Sequence, residues 1–372
     1  MTSFPIRRWV KTAAITTAAA LALTACAGSG GSGEPGPQTL KFAYFSGENT
    51  SFGRLWSWWM DEVETRSGGS ITFERFWDAS LLQGPEMVGG LRDGRVDVAQ
   101  VVPPMYPGKF PLTSVTELPF VSDNVPAGAA AIAQLARENE AVREEWSGQG
   151  LEPLAWNIAA PGALGTTEPL TGADDLRGRS IRGIDRSSKV LGAAGANLVN
   201  LDVNEVYTGM ERGLIDGFFG IPFAFVGPLK FQEIAKNYTD VGMGITTANA
   251  LAMSEKGWDS LTPEQQQIMT EVSAEVPAKL AEFDGATEDA TCEAVKAAGA
   301  TVTRFPQAEI DALRAAGEEQ VRAEWVGEVA GSGVDGAAFY EEWKAAVAAG
   351  EADHADYELG MTRCTNGTAG SR

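Results

Sequence analysis

One histidine, His354, and three cysteines, Cys26, Cys292 and Cys364, occur in 372 residues. With a single imidazole, Ser-His-Asp and Cys-His catalysis are unsupported, and so is a zinc site of ordinary spacing. Positive charge is scarce as well: 29 Lys and Arg stand against 50 Asp and Glu, a formal charge of −21. Such a chain repels phosphate backbones, which argues against nucleic acid as a partner. No glycine-rich phosphate loop follows a strand, and nothing in the sequence asks for a cofactor or metal. Acid pairs such as Asp174/Asp175 and Glu138/Glu140 could serve a surface hydrolase or lyase built on carboxylates. Among fifty acids, however, such pairs arise by chance and read as solvated surface.

What is present begins with a leader. Arg7, Arg8 and Lys11 precede an apolar stretch from about Thr12 to Ala25, which has the layout of a secretory signal over residues 1–25. It falls short of the roughly 20 residues of a permanent spanning helix, and no later segment approaches that length without charges. The run LTAC at 23–26 resembles a bacterial lipobox, which implies cleavage before Cys26 and lipidation of its sulfur. Residues 26–38, which after Cys26 read AGSGGSGEPGPQ, have the composition of a flexible tether. Loss of the leader takes the formal charge to −24. The expectation is an extracytoplasmic protein held to a membrane by lipid.

The some 345 residues that remain exceed what one core supports and indicate two domains. Strand-like TLKFAYF, ITFERF and VDVAQV alternate with helix-period segments, the pattern of an α/β domain with a largely parallel sheet. A second α/β set begins near Trp156. Ligands of open sheets meet the loops at the carboxyl ends of strands, which points to the loops 45–49 and 101–106. From Thr262, an N-cap followed by Pro263 and by Gln265 three residues on, an apolar stripe runs through Ile268, Val272, Val276, Leu280 and Phe283. It predicts one long helix, kinked at Pro277, that lies across both domains. Cys292 and Cys364 are left in an oxidising compartment, where a disulfide between them is compatible with the sequence. The tail 351–372 is polar and Gly-rich and reads as loose.

Against this acidic background DLRGRSIRGIDRS (175–187) carries four arginines in thirteen residues. Arg177 and Arg179 flank Gly178 beside Asp174 and Asp175 and read as exposed ion pairs. Arg182 sits in a strand that ends at a loop, where its planar fork can hold a carboxylate through two parallel hydrogen bonds. A buried structural ion pair explains the same residue equally well.

The run from Asp175 to Gly217, DLRGRSIRG followed by LGAAGANLVNLDVNEVYTGMERGLIDG, resembles the signature of DctP-like solute-binding proteins of tripartite ATP-independent periplasmic (TRAP) transporters. LLQGPEMVGGLRDGRVDVA (81–99), ELPFV (117–121) and MSEKGWDSLTPEQQQIM (253–269) fit in order, so the resemblance spans about residues 39–345. It implies a two-lobed, periplasmic-binding-protein-like fold (type II-like) with hinge strands and a long bridging helix. Lobe I would comprise 39–159 and 248–287, and lobe II 160–247 and 288–350. The implied function is that of a monomeric receptor, not an enzyme, that closes on an organic acid and delivers it to permease subunits in the membrane. The nearest alternative is a binding lipoprotein of an ATP-driven importer.

In that family the arginine of the IR segment grips the ligand carboxylate, and here it is Arg182. Arg186, at the helix entrance, reads as surface. Two departures stand out: Ala163 and Leu164 precede the TT motif where a second arginine is common, and Phe218, Phe219 and Gly220 replace the common QEN. Both remove polar contacts, so the expectation is an acid with apolar or aromatic surface lying against a wall of Phe218, Phe219 and Gly220. The facing loops would add Phe45, Gly47, Val102, Pro103, Trp156 and Asn157, with Asn249 near the hinge and Glu86 for a ligand hydroxyl or amine.

Overall fold

The computed structural model describes residues 36–367 and 369. The leader 1–25, Cys26 and most of the tether lie outside the described residues. Eleven strands form two sheets among these residues. The first contains β1 (Gln38–Ala43), β2 (Ile71–Phe76), β3 (Val98–Val101), β4 (Leu151–Ile158) and β10 (Ala248–Ser254), in the order β2-β1-β3-β10-β4. The second contains β5 (Gly162–Thr166), β6 (Ser180–Arg182), β7 (Asn197–Val199), β8 (Gly217–Pro222), β9 (Asn237–Asp240) and β11 (Thr301–Arg304), in the order β11-β9-β5-β8-β6-β7. Neither is wholly parallel: β10 runs antiparallel to both β3 and β4, and β5 antiparallel to both β8 and β9.

Helix α1 (Ser51–Arg66) covers the first sheet. Thr50 caps it by accepting from the Gly53 amide, and Leu55, Trp56, Trp59, Met60 and Val63 form its buried face. Each such large side chain contributes on the order of 3 kcal/mol before ordering costs. Around this lobe lie α2 (Met87–Asp93), α3 (Val125–Glu138), α4 (Glu140–Ser147) and α8 (Glu255–Asp259), and in the second lobe α5 (Ser188–Ala193), α6 (Val206–Glu211) and α7 (Phe223–Val226).

The stripe beginning at Thr262 forms two helices, α9 (Pro263–Ala274) and α10 (Val276–Ala297), rather than one kinked rod. The Thr262 capping box with Gln265 is present. The break falls at Glu275, two residues before Pro277, whose missing amide and ring bulk fit the first turn of a new helix. Helix α10 touches α1, α3 and β4 of the first lobe and α7 and β11 of the second, so it bridges them.

The chain also crosses between sheets at 159–161 and 241–247, and the two crossings are bonded to each other. Ala159 N donates to Thr247 O at 2.8 Å, and Thr246 N to Ala159 O at 3.1 Å. Two hydrogen-bonded hinge segments and a bridging helix therefore join the lobes.

Two expectations about the C-terminal part change. Residues 288–350 do not all belong to lobe II: α11 (Gln307–Val329) packs on α5, but α12 (Gly336–Asp353) returns to α3 of lobe I. Its Phe339, Tyr340, Trp343 and Val347 are buried, and Gly350 lets the helices meet where a Cβ would come 3.0 Å from Ala127 Cα. Nor is the tail loose throughout. Cys292 and Cys364 form a disulfide with Cα atoms 5.6 Å apart, and it fastens α13 (Gly360–Asn366) to α10. Arg363 is buried there, donating to Asp289 Oδ1 from both Nε (3.1 Å) and Nη2 (2.9 Å).

Candidate functional site

The carboxyl ends of β1, β3 and β4 and the start of β10 share one edge of the first sheet. Asn249 pairs with Asn157, and since Ala250 pairs with Val101, Val102 comes next to Asn249. Both asparagines are buried, and Asn249 Nδ2 donates to Asn157 Oδ1 at 2.9 Å. That leaves Asn157 Nδ2 and Asn249 Oδ1 without partners. Turning both amides over exchanges the roles but still leaves one donor and one acceptor. Beyond β1, Phe45 is buried with its ring 5.0 Å from Tyr44, and its carbonyl accepts from Asn204 Nδ2 of the second lobe at 3.4 Å. Gly47 makes the turn into α1, its carbonyl accepting from Thr50 Oγ1 at 2.8 Å, and a Cβ there would lie 2.6 Å from Asn49 Oδ1. Pro103 opens a single 3₁₀ turn over 103–105.

Across from this edge, β6 ends at Arg182, in register with Phe218 of β8. Only 3% of Arg182 is exposed; its Nε donates to Leu201 O at 2.9 Å and its Nη1 to Phe219 O at 3.2 Å. Among the described residues Nη2 has no protein acceptor, so one arm of the fork is uncommitted. Burial pushes the guanidinium pKa down, and the negative charges of Asp185 and Asp202 oppose that shift. Asp185 lies against Gly220, whose φ of +78° suits glycine and where a Cβ would come 2.9 Å from Asp185 Oδ2.

The loop after β6 also touches the first lobe. Arg186 N donates to Glu117 Oε2 at 3.0 Å and its Nε to Ser114 Oγ at 3.1 Å, while its Nη1 pairs with Glu328 Oε1 at 2.8 Å. Arg186 is thus an interlobe clamp rather than a solvated surface residue. Burial raises the Glu117 carboxyl to about 8. A cavity of about 210 Å³ opens here, lined by Pro103, Tyr106, Ser114, Glu117, Asp185 and Arg186. Arg177 remains exposed and pairs with Asp174 at 3.1 Å, and Arg179 Nε donates to Asp175 O at 2.9 Å.

Three expected site residues lie elsewhere. Successive strand residues face opposite ways, so Phe218 and Phe219 cannot share one wall. The Phe218 ring packs in the second lobe's core, 5.0 Å from Phe231 and against Gly165, while Phe219 is buried on the other face. Trp156 likewise turns away from Asn157, its ring 5.1 Å from Trp146, and lines an outer groove of about 920 Å³ beside β4. Glu86 is exposed, and its Oε2 accepts from Gln83 N at 2.8 Å, closing a capping box rather than facing Arg182. The residues that sequence reasoning missed, Asp185, Asn204, Ser114 and Glu117, carry no local signal. Asp185 is only three positions from Arg182, yet it is one acid among fifty.

Known proteins agree with this architecture. A solute-binding protein of Albidiferax ferrireducens is 28% identical over 219 residues, 58% of this chain and 64% of that protein. The structure of a TRAP solute binding protein from Rhodoferax ferrireducens in complex with copurified benzoate is 25% identical, with TM-score 0.79, and the match covers 85% of this chain and 99% of that one. A marine metagenome TRAP solute binding protein specific for aromatic acid ligands, solved with 3-hydroxybenzoate, is also 25% identical, with TM-score 0.77 over 84% and 98% of the two chains. The family model described as bacterial extracellular solute-binding protein, family 7 (DctP), matches residues 42–326, and this two-lobed chain belongs to that family.

Proposed function

We propose that this chain is the extracytoplasmic receptor of a TRAP-type transporter and that it closes on an organic acid whose carboxylate is held by Arg182. The observation that carries the reading is the guanidinium itself. It is buried at the carboxyl end of β6, fixed by two main-chain carbonyls, and keeps one nitrogen without a protein acceptor among the described residues. A structural ion pair would have engaged a carboxylate; here both hydrogen-bond partners are neutral carbonyls, so the charge is available to an anion. Family membership supports transport rather than chemistry, and the ligand leaves unchanged for permease subunits in the membrane.

The finer ligand class rests on Phe219 and on the missing second arginine. One carboxylate is recognised, and the rest of the ligand gains by leaving water at roughly 25 cal/mol per Å². The solved relatives that hold benzoate and 3-hydroxybenzoate support an aromatic acid at the same level of identity. Lipidation at Cys26 tethers the monomeric receptor to the membrane. The deciding experiment is a thermal-shift screen of carboxylic acids on the wild type and on Arg182→Ala. A ligand at 100 times its Kd stabilises by about 2.7 kcal/mol. Stabilisation of the wild type by one class of acid, lost in the variant, is the expected result. Equal shifts in both proteins would remove Arg182 from the site.

A further inference from the structure

Asp185 has a geometry that the arginine alone does not explain. It is 5% exposed; Oδ1 accepts from Ser188 N at 2.9 Å, but Oδ2 is buried and has no hydrogen-bond partner. The Ser187 hydroxyl is close enough to favour the ionised carboxylate, yet it too is buried without a hydrogen bond. A buried carboxylate oxygen left unpaired is costly, and in this conformation no protein donor, the neighbouring Ser187 hydroxyl included, makes the bond. The side chain also lines the interlobe cavity of about 210 Å³, to which Pro103 and Glu117 contribute from the other lobe. Its neighbour Gly220 keeps the space clear, because any Cβ there would collide with Oδ2 at 2.9 Å.

We propose that Asp185 is a specificity-determining residue that accepts a hydrogen bond from a hydroxyl group carried by the bound acid close to its carboxylate. This rests on the acid-receptor reading above. The spacing follows from the main chain: Arg182 bonds the carbonyl of Phe219, Asp185 lies on Gly220, and successive Cα atoms are about 3.8 Å apart. Both side chains are thus anchored on adjacent residues of β8, which suits an acid whose hydroxyl is close to its carboxylate, as in a 2- or 3-hydroxy acid. Burial pushes the Asp185 carboxyl pKa up. A hydroxyl bonds either protonation form, since it donates and accepts, whereas an ammonium is matched only to the ionised one.

Calorimetry on matched acids tests this: mandelate against phenylacetate, lactate against propionate, and phenylglycine as the amino twin. The wild type should favour the hydroxy member of the pair it binds by about ten- to a hundredfold, the span expected for a hydrogen bond to a charged group. Asp185→Ala should bring the ratio of hydroxy to deoxy affinity within about threefold, the loss of a negative charge near Arg182 acting on both members of a pair alike. If the alanine variant does not fold, Asp185→Asn keeps the acceptor for Ser188 N but offers the ligand hydroxyl a neutral amide instead of a carboxylate, and should retain only part of the preference. A merely structural Asp185 would weaken both twins alike and leave the ratio intact, which overturns the proposal. So does a wild type that binds the deoxy acid equally well or prefers phenylglycine. Binding of no acid at all overturns the receptor reading and this proposal with it.

Discussion

Arg182 Nη1 lies 3.2 Å from the carbonyl oxygen of Phe219, so main chain rather than an acidic side chain sets the direction of the guanidinium. Lysine at 182 would keep the charge but could not hold the Leu201 and Phe219 carbonyls and still present a donor outward. Arg182→Lys should therefore weaken ligand binding nearly as much as Arg182→Ala, by about ten- to a hundredfold, at 1.5 to 3 kcal/mol per charge-assisted bond. Calorimetry that returns wild-type affinity for the lysine variant would place the arginine outside the site.

Phe218 and Phe219 should separate cleanly. Phe218→Ala leaves a cavity between Phe231 and Tyr238 and should cost about 3 to 5 kcal/mol of stability with little change in affinity at a temperature where it is folded. Phe219→Ala should reduce the affinity for aromatic acids; a covered face of about 100 Å² corresponds to roughly 2.5 kcal/mol. Unchanged affinity in Phe219→Ala would make both rings core packing.

Acidity should matter through α10. Burial raises Asp284 from 3.8 to about 7 and Glu288 from 4.5 to about 8. Between the unfolded and folded values the native state holds protons that the unfolded chain has lost, so stability falls as pH rises from about 4 to 8 and is fully present below that window. The slope approaches about 1.4 kcal/mol per pH unit for each such group. Asp284→Asn should raise stability at pH 8 and flatten the profile. Glu117 and Glu145, raised to about 8 and about 7, act in the same direction and keep the slope from vanishing. Denaturant melts with the same pH slope in both proteins would contradict this.

Reduction should loosen the end of the chain. The disulfide spans 72 residues of sequence, for which the chain-entropy model gives about 4 kcal/mol. Cys292→Ser/Cys364→Ser should lower Tm and expose the amides of α13 to exchange. A double variant with native stability and protection would show that the Arg363 contacts suffice.

Cys26→Ser should leave a folded protein that no longer partitions with membranes. Fractionation in which the variant stays fully membrane-bound would count against the lipid anchor.

The fold was legible where local chemistry repeats. TLKFAYF, ITFERF and VDVAQV lie on three neighbouring strands, and Thr262, Pro263 and Gln265 begin α9 through a capping box. What periodicity did not carry was pairing at long range. Nothing local in ANALAMS says that it inserts antiparallel between β3 and β4, or that α12 returns to α3 after α11 has served the other lobe. In the site, Arg182 stood out because cations are few. Phe218 and Phe219 were read as one surface although adjacent strand residues face apart, and Trp156 and Asn157 repeat the same alternation. Asp185 and Arg186 depend on partners at 114, 117, 220 and 328, which only the folded chain brings near.

The place of β10 in the first sheet bears on biosynthesis. It fills the gap between β3 and β4, yet it leaves the ribosome about 90 residues after β4 has been made, with most of the second sheet in between. At about 5 to 20 residues per second that is an interval of several seconds, during which β4 has no strand on either side and the β3 edge is open. The amino-terminal lobe therefore cannot mature ahead of its neighbour. A nascent chain that stays unassembled until about two thirds of it exists is well suited to passing through an export channel before it folds.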